Sequence, residues 1–212
     1  MNIGFLVETP ITEKKKMYGA QRSFVMLLEE LKSMGVNAFV VVSEEWEIVS
    51  ELRRIGAEVL ITPIYEFFTS LDGAYGEYHD NETQKRQNIE SSEKIRRYFM
   101  ENHVQLVHMN TRFCGLLGAE IAVELGIPYI FHIREFLEAD FGLTFKDQAY
   151  ADKMIGNADA LIAISNSIYK YLYQKYPGTR IDTIYNGVSA EKYSNDECIK
   201  NLYSQKGKPV VE

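Results

Sequence analysis

Short runs of apolar residues recur along the chain, and longer segments with the apolar spacing of helices separate them. Most of the runs are continuous and rich in Val, Ile and Leu, which is typical of strands buried on both faces of a parallel sheet. The predicted strands are residues 3–7, 38–42, 58–61, 105–108, 128–132, 160–164 and 181–185.

Helical periodicity is clearest in the segment that follows the first predicted strand. Phe24, Leu28 and Leu31 lie on one apolar stripe. Gly35 follows where a helix would end, so we expect a helix over about residues 20–34. Helix and strand alternate along most of the remaining chain. The pattern therefore predicts an α/β fold with a doubly wound, mostly parallel sheet of about seven strands and helices on both faces.

Two stretches interrupt this alternation, and both are rich in aromatic residues. The first, residues 65–82, contains Tyr75 and Tyr78, and the second, residues 136–145, contains three phenylalanines. Aromatic loops beside a sheet edge can stack on sugar rings or on an isoprenoid chain. They can equally pack onto the domain as loop anchors, and the sequence leaves both interpretations open.

Composition limits the classes of function. The chain has 212 residues, 46% of them hydrophobic and 25% charged. This suits one large or at most two small globular domains. The formal net charge of −7 argues against nucleic acid as a partner. We find no secretory signal or apolar run of membrane-spanning length, so we expect a cytoplasmic protein. Cys114 and Cys198 lack metal-like or redox-like spacing.

Polar segments follow three of the predicted strands or lie just beyond them. The carboxyl ends of parallel strands meet at one edge of a sheet, and ligands of open α/β sheets bind in the crevice outside that edge. We therefore expect the three segments to form one candidate site. They are residues 18–22, 132–135 and 186–187.

The residue types in these segments suggest binding of anions and hydroxyl groups. Gly19 precedes a helix whose free N–H groups favour a phosphate. The loop lacks the glycine-rich dinucleotide and triphosphate motifs, which argues against a dehydrogenase or a nucleoside triphosphatase. A neutral His132 could donate a hydrogen bond to a substrate hydroxyl, and Arg134 could bind a phosphate or carboxylate. The alternatives are a helix cap, a structural histidine, and an arginine held by Glu135.

Four short motifs occur along the chain: Gly19-Ala20-Gln21-Arg22, Gly126-Ile127-Pro128 leading to His132, Ala163-Ile164-Ser165-Asn166-Ser167, and Ile184-Tyr185-Asn186-Gly187-Val188. In this order and spacing they resemble family 4 glycosyltransferases. The resemblance spans almost the whole chain and is to the N-terminal, acceptor-side domain of the GT-B fold, one of its two Rossmann-like halves. It implies such a domain over residues 1–193 and a hinge or linker over 194–212 toward a C-terminal donor domain.

The resemblance also implies a reaction. Family 4 enzymes are retaining transferases that move a sugar from a nucleotide diphosphate to an acceptor hydroxyl without a metal or other cofactor. By this resemblance, His132 lies near the donor sugar and stabilises the transition state rather than acting as a general base. Gly19 and Ala20 would approach the donor diphosphate, and Asn186 and Gly187 would form the floor of the cleft.

The acceptor side is less specific. Arg134, Tyr75 and Tyr78 suggest a glycan or polyprenyl-phosphate-linked acceptor of polysaccharide biosynthesis, with peripheral membrane contact. In the first loop, Tyr18 replaces a glycine that is frequent in the family, and Gln21 replaces a glutamate. We expect helix capping to persist there, and Tyr18 to weaken the approach to the diphosphate.

Three hypotheses for the role of the chain remain. It is the N-terminal part of a two-domain transferase, a half-enzyme whose donor domain is supplied by a separate chain, or a non-catalytic carbohydrate-binding module. In the first two, the donor domain acts in cis or in trans, and this chain alone is inactive.

Overall fold

The computed structural model describes residues 1–7, 17–65, 68–71 and 82–187. Strands and helices alternate through most of these ranges, as the sequence predicts. In chain order the elements are β1 (Asn2–Val7), α1 (Gly19–Ser33), β2 (Asn37–Val42), α2 (Glu47–Arg54), β3 (Glu58–Ile61), β4 (Phe68–Ser70), α3 (Glu82–Glu101), β5 (Leu106–Met109), α4 (Gly115–Leu125), β6 (Tyr129–Ile133), α5 (Leu137–Phe141), β7 (Leu143–Phe145), α6 (Gln148–Gly156), β8 (Ala160–Ala163), α7 (Asn166–Lys175) and β9 (Ile181–Thr183).

Seven of the strands form one sheet in the order β3-β2-β1-β5-β6-β8-β9. Every neighbouring pair in this sheet is parallel. The chain runs outward from β1 to β3 and then from β5 to β9 on the other side. The order of the strands therefore reverses between β1 and β5, which is where open α/β sheets place their ligands. The predicted doubly wound sheet of seven strands is confirmed, although β9 ends at Thr183 and not at 185.

Helices cover both faces of the sheet, as predicted. On one face, α1 and α2 bury a cluster that includes Phe5 and Phe24, whose ring centroids are 5.4 Å apart in a T-shaped arrangement. On the other face, residues of α3, α4, α6 and α7 enclose a second cluster with Phe131 at its centre. Because both faces are apolar, the central strands are nearly continuous hydrophobic runs, whereas the edge strands β3 and β9 also carry polar residues.

Helix boundaries follow local sequence signals. The predicted helix over 20–34 is observed as α1, one residue earlier at each end. Gly126 ends α4 in the left-handed conformation with φ 66°, which costs glycine little. Ser165 caps α7, since its hydroxyl accepts a hydrogen bond from the Ile168 backbone N–H at 3.2 Å. No helix in the described part of the chain is long and apolar enough to cross a membrane.

The two aromatic stretches contribute an element that the sequence did not predict. β4 and β7 pair as a two-stranded antiparallel sheet, with Phe68 opposite Phe145. The two rings are buried with centroids 4.7 Å apart, so these phenylalanines anchor the stretches to the core. Phe141 remains 48% exposed. Tyr75 and Tyr78, the predicted acceptor-side aromatics, lie outside the described residues.

The close approach of α4 to β6 requires a glycine at the start of the helix. A Cβ added at Gly115 would lie 2.2 Å from Cε1 of the buried Phe131 ring. Gly115→Ala should therefore lower the free energy of unfolding by about 1–3 kcal/mol, measured by urea denaturation, because the ring cannot move without disturbing the core.

Gly156→Ala is the matched control for Gly115→Ala. Gly156 also lies in a helix, and its added Cβ would meet only Tyr176 Cδ1 at 3.4 Å. This variant should be neutral or more stable by up to about 1 kcal/mol, since alanine favours the helix. Equal effects of the two substitutions would contradict the packing argument.

Candidate functional site

A cleft opens at the carboxyl edge of the sheet, where the sequence places the candidate site. Its volume is about 600 Å³. Helix α1 forms one wall with side chains that include Met26 and Leu27, and the other wall consists of His132, Arg134 and the segment 184–187. The structure thus brings together two of the three predicted polar segments. Gly19 and Ala20 lie in the first turn of α1 and do not line this cleft.

The start of α1 is capped as expected despite the two replacements in its sequence. The Tyr18 backbone N–H donates to Gln21 Oε1 at 3.0 Å, so glutamine performs the reciprocal half of a capping box. The first turn carries no acidic side chain that would oppose an anion. A Cβ added at Gly19 or at Gly187 would meet no described atom within 4 Å. Described packing therefore requires neither glycine, and their approach to a diphosphate stays a prediction.

His132 lies near the end of β6 and is 5% exposed. Its Nδ1 lies 3.3 Å from Nη2 of Arg134. Its Nε2 is buried without a hydrogen-bond partner among the described residues. Burial lowers the pKa of His132 to about 2, and the charge of Arg134 and the neighbouring His108 add to the decrease. The imidazole is therefore neutral at physiological pH.

A second histidine, which the sequence analysis did not select, packs against the first. His108 of β5 stacks on His132 with ring centroids 5.5 Å apart and an interplanar angle of 27°. Phe5 contacts His108 with its centroid at 5.3 Å. Burial, followed by the charge of Arg134, lowers the pKa of His108 to about 3. His132 thus stacks on a neutral ring that itself contacts the core residue Phe5.

Arg134 connects three separate parts of the chain. Its Nε donates to the Asn110 backbone oxygen at 3.1 Å and to Asn110 Oδ1 at 3.2 Å. Its Nη1 donates to Asn186 Oδ1 at 2.7 Å, and Nη2 faces His132. All three guanidinium nitrogens thus have partners within the chain. Binding of an acceptor phosphate by Arg134 stays a prediction.

Arg112, which sequence reasoning missed, forms a buried ion pair between the loops after β5 and β6. Its Nε lies 3.4 Å from Glu135 Oε1, and its side chain is 1% exposed. Its Nη2 also donates to the Glu135 backbone oxygen at 2.6 Å. Glu135 therefore pairs with Arg112 and not with the side chain of Arg134. The available signal was the polar triplet 110–112 directly after β5, at the same edge of the sheet as 132–135.

Burial and hydrogen bonding have opposite effects on the pKa of Glu135. Complete burial raises the pKa of the Glu135 carboxyl, and the Arg112 guanidinium opposes that rise. The backbone N–H groups of Arg112 and Arg134 also donate to the two carboxylate oxygens, at 3.2 and 3.1 Å.

Taken together, His132 and Arg134 give the site a neutral imidazole and a fixed guanidinium, groups suited to binding hydroxyls and anionic oxygens. That no metal or other cofactor takes part stays a prediction.

Comparison with known proteins identifies the class and then the family. A parallel seven-stranded sheet with helices on both faces and a cleft at its carboxyl edge is the fold of the N-terminal Rossmann-like domain of GT-B glycosyltransferases. The family model for Glycosyltransferase Family 4 matches residues 17–192 of the chain. The chain therefore belongs to this family. No curated protein matches the chain.

Solved structures share the fold at low sequence identity. HepE of Anabaena in complex with UDP and glucose is 19% identical with a TM-score of 0.61, and the match covers 97% of this chain and 50% of that one. Acinetobacter baumannii MurG is 12% identical with a TM-score of 0.59, covering 98% and 50%. The lipopolysaccharide outer core galactosyltransferase WaaB is 14% identical with a TM-score of 0.60, covering 89% and 46%. The chain spans about half the length of these proteins.

The low pKa of His132 predicts how stability depends on pH. The folded-state pKa of about 2 lies below the ordinary value of 6.5. As the pH falls from 7 to 5, only the unfolded chain binds a proton at this position, so the fold loses about 2 kcal/mol at this histidine. The difference in free energy of unfolding between wild type and His132→Gln should shrink by that amount, measured by urea denaturation at both pH values. A difference that does not change with pH would show that His132 titrates normally.

Breaking the buried ion pair should cost far more stability than breaking an exposed one. Glu135→Gln leaves the Arg112 charge buried and uncompensated, so we expect a loss of roughly 3 kcal/mol or more in the free energy of unfolding. Glu45→Gln is the control, because Glu45 pairs with Arg53 at 3.0 Å but both side chains are more than half exposed. It should change stability by about 1 kcal/mol or less. Similar losses for the two variants would refute the structural role of Glu135.

Proposed function

We propose that this chain is the acceptor-side half of a retaining glycosyltransferase. It transfers a sugar from a nucleotide diphosphate donor to a hydroxyl of a glycan or lipid-linked acceptor, and a donor domain in cis or in trans completes the cleft. The observation that carries the proposal is the buried, neutral His132 at the carboxyl-edge cleft of a family 4 domain, with Nε2 unpartnered among the described residues.

The chemistry of glycosyl transfer suits these groups. The bond between the sugar anomeric carbon and the diphosphate oxygen breaks, the acceptor oxygen bonds to that carbon, and the acceptor proton leaves with the diphosphate. Positive charge develops on the sugar and negative charge on the leaving oxygen. A neutral His132 hydrogen-bonds the sugar without adding a cation beside it. The start of α1, with Gly19 and Ala20, favours the diphosphate because free N–H groups and the helix dipole attract anions.

The comparisons suggest where to begin with substrates. HepE was solved with UDP and glucose, so UDP-glucose is the first donor to test. WaaB is a lipopolysaccharide galactosyltransferase, which supports a cell-surface glycan or its lipid-linked precursor as the acceptor class. Arg134, Tyr75 and Tyr78 contact that acceptor in this proposal. The transferase acts on the cytoplasmic side, where the lysine run 14–16 would attract anionic lipid.

Replacing His132 tests the proposed function. In the transferase expressed in its source cells and purified with its donor half, His132→Ala should lower kcat by about 100-fold or more, since it removes a hydrogen bond that strengthens in the transition state. The Michaelis constant for the donor should change little. Sugar transfer and nucleotide release measure the effect, with folding checked by circular dichroism.

His103→Asn is the matched control for His132→Ala. His103 is exposed and precedes β5, at the opposite edge of the sheet, and its φ of 49° suits asparagine. This variant should retain wild-type turnover. Wild-type turnover by His132→Ala would refute the role of His132. Saturable glycan binding without transfer, by the complete protein and with every donor tested, would instead favour a binding module.

A further inference from the structure

We infer that Arg134 is a positioning residue that holds His132 in the tautomer with its proton on Nε2. Nε2 of His132 is then a hydrogen-bond donor and cannot accept a proton. The catalytic meaning of this tautomer rests on the proposed function, whereas the tautomer itself is a property of the chain that can be measured without any substrate.

The first step of the argument concerns the contact between the two side chains. Nη2 of Arg134 and Nδ1 of His132 are 3.3 Å apart. A guanidinium carries only donors, so the imidazole nitrogen that faces it must accept and must lack a proton. A neutral imidazole has one proton, which therefore lies on Nε2.

The second step is that Arg134 cannot easily turn away. Its Nε donates to both oxygens of Asn110, and its Nη1 donates to Asn186 Oδ1. Its backbone N–H donates to Glu135 Oε2 at 3.1 Å, and Glu135 belongs to the buried ion pair with Arg112. These contacts fix the plane of the guanidinium, and with it the donor that faces His132.

The third step is that a second proton is disfavoured. His132 is buried, stacks on His108 and lies beside the positive charge of Arg134, and all three effects lower its pKa. The single proton on Nε2 is buried without an acceptor among the described residues. An unpartnered buried donor is costly, so this position favours a ligand that supplies an acceptor oxygen. In the proposed transferase that oxygen belongs to the donor sugar.

The Arg134 guanidinium also connects the segment after β9 to His132. Asn186 accepts from Arg134, so the segment 184–187 and the ring of His132 are held by one side chain. Asn186 therefore acts on His132 through Arg134.

Long-range proton–nitrogen NMR on the full chain with labelled histidine tests the inference. His132 is assigned by the signals that are lost in His132→Gln. At pH 7 we expect Nδ1 without a proton and Nε2 with one, in a ratio of at least about tenfold over the other tautomer. A proton on Nδ1, or comparable amounts of both tautomers, would overturn the inference even if the transferase activity were confirmed.

Arg134→Leu supplies the second measurement. Without the donor at Nδ1, the tautomer ratio should fall at least about threefold and the pKa of His132 should rise. Arg96→Leu is the control, because Arg96 bonds the exposed Glu124 at 2.9 Å and should leave both quantities unchanged. An unchanged ratio in folded Arg134→Leu would remove Arg134 from this role. If the complete wild-type protein transfers no sugar, the proposed function is refuted, but the inference about the tautomer is not.

Discussion

The buried ion pair between Arg112 and Glu135 is the constraint on which the site depends. Both charges are removed from water, which costs several kcal/mol per ion unless further hydrogen bonds compensate. Here they do, because two backbone N–H groups donate to the carboxylate and Arg112 also donates to the Glu135 backbone oxygen. Tyr171 adds a ring 5.9 Å from the guanidinium carbon. The pair therefore fixes the loops after β5 and β6 relative to each other.

The position of Arg134 in the second wall of the cleft depends on the loop after β6. The Glu135 carboxylate accepts a hydrogen bond from the Arg134 backbone N–H. This bond fixes the backbone from which the Arg134 side chain projects. Arg134 then reaches Asn110, Asn186 and His132, residues that lie up to 52 positions away in the sequence. A hydrogen-bond network of this kind is strong only when its members are satisfied, because a buried polar group left alone is costly. The exception is His132 Nε2, which is buried without a hydrogen-bond partner among the described residues.

The fold was predictable because its signals are local. Continuous apolar runs identify strands buried on both faces, and the stripe along α1 identifies a helix without any knowledge of its partners. β4 and β7 were not predicted, because each has three residues and their pairing joins distant positions, Phe68 and Phe145 being 77 apart. His132 was selected from its place at a strand end, and its role stays a prediction. Arg112 was missed because its importance depends on Glu135, which lies 23 residues further on in another loop.

The charges in the cleft are poorly suited to binding a nucleotide diphosphate. Among the described residues that line the cleft, only Arg134 has a cationic side chain. Each of its guanidinium nitrogens already has a partner in the chain. Glu29 and Glu30 line the same cleft and would repel an anion. His132 resists protonation and adds no charge. In the proposed transferase, a diphosphate would therefore need most of its charge balanced from elsewhere, by the start of α1 and by cations of a donor domain, while this wall would orient the sugar.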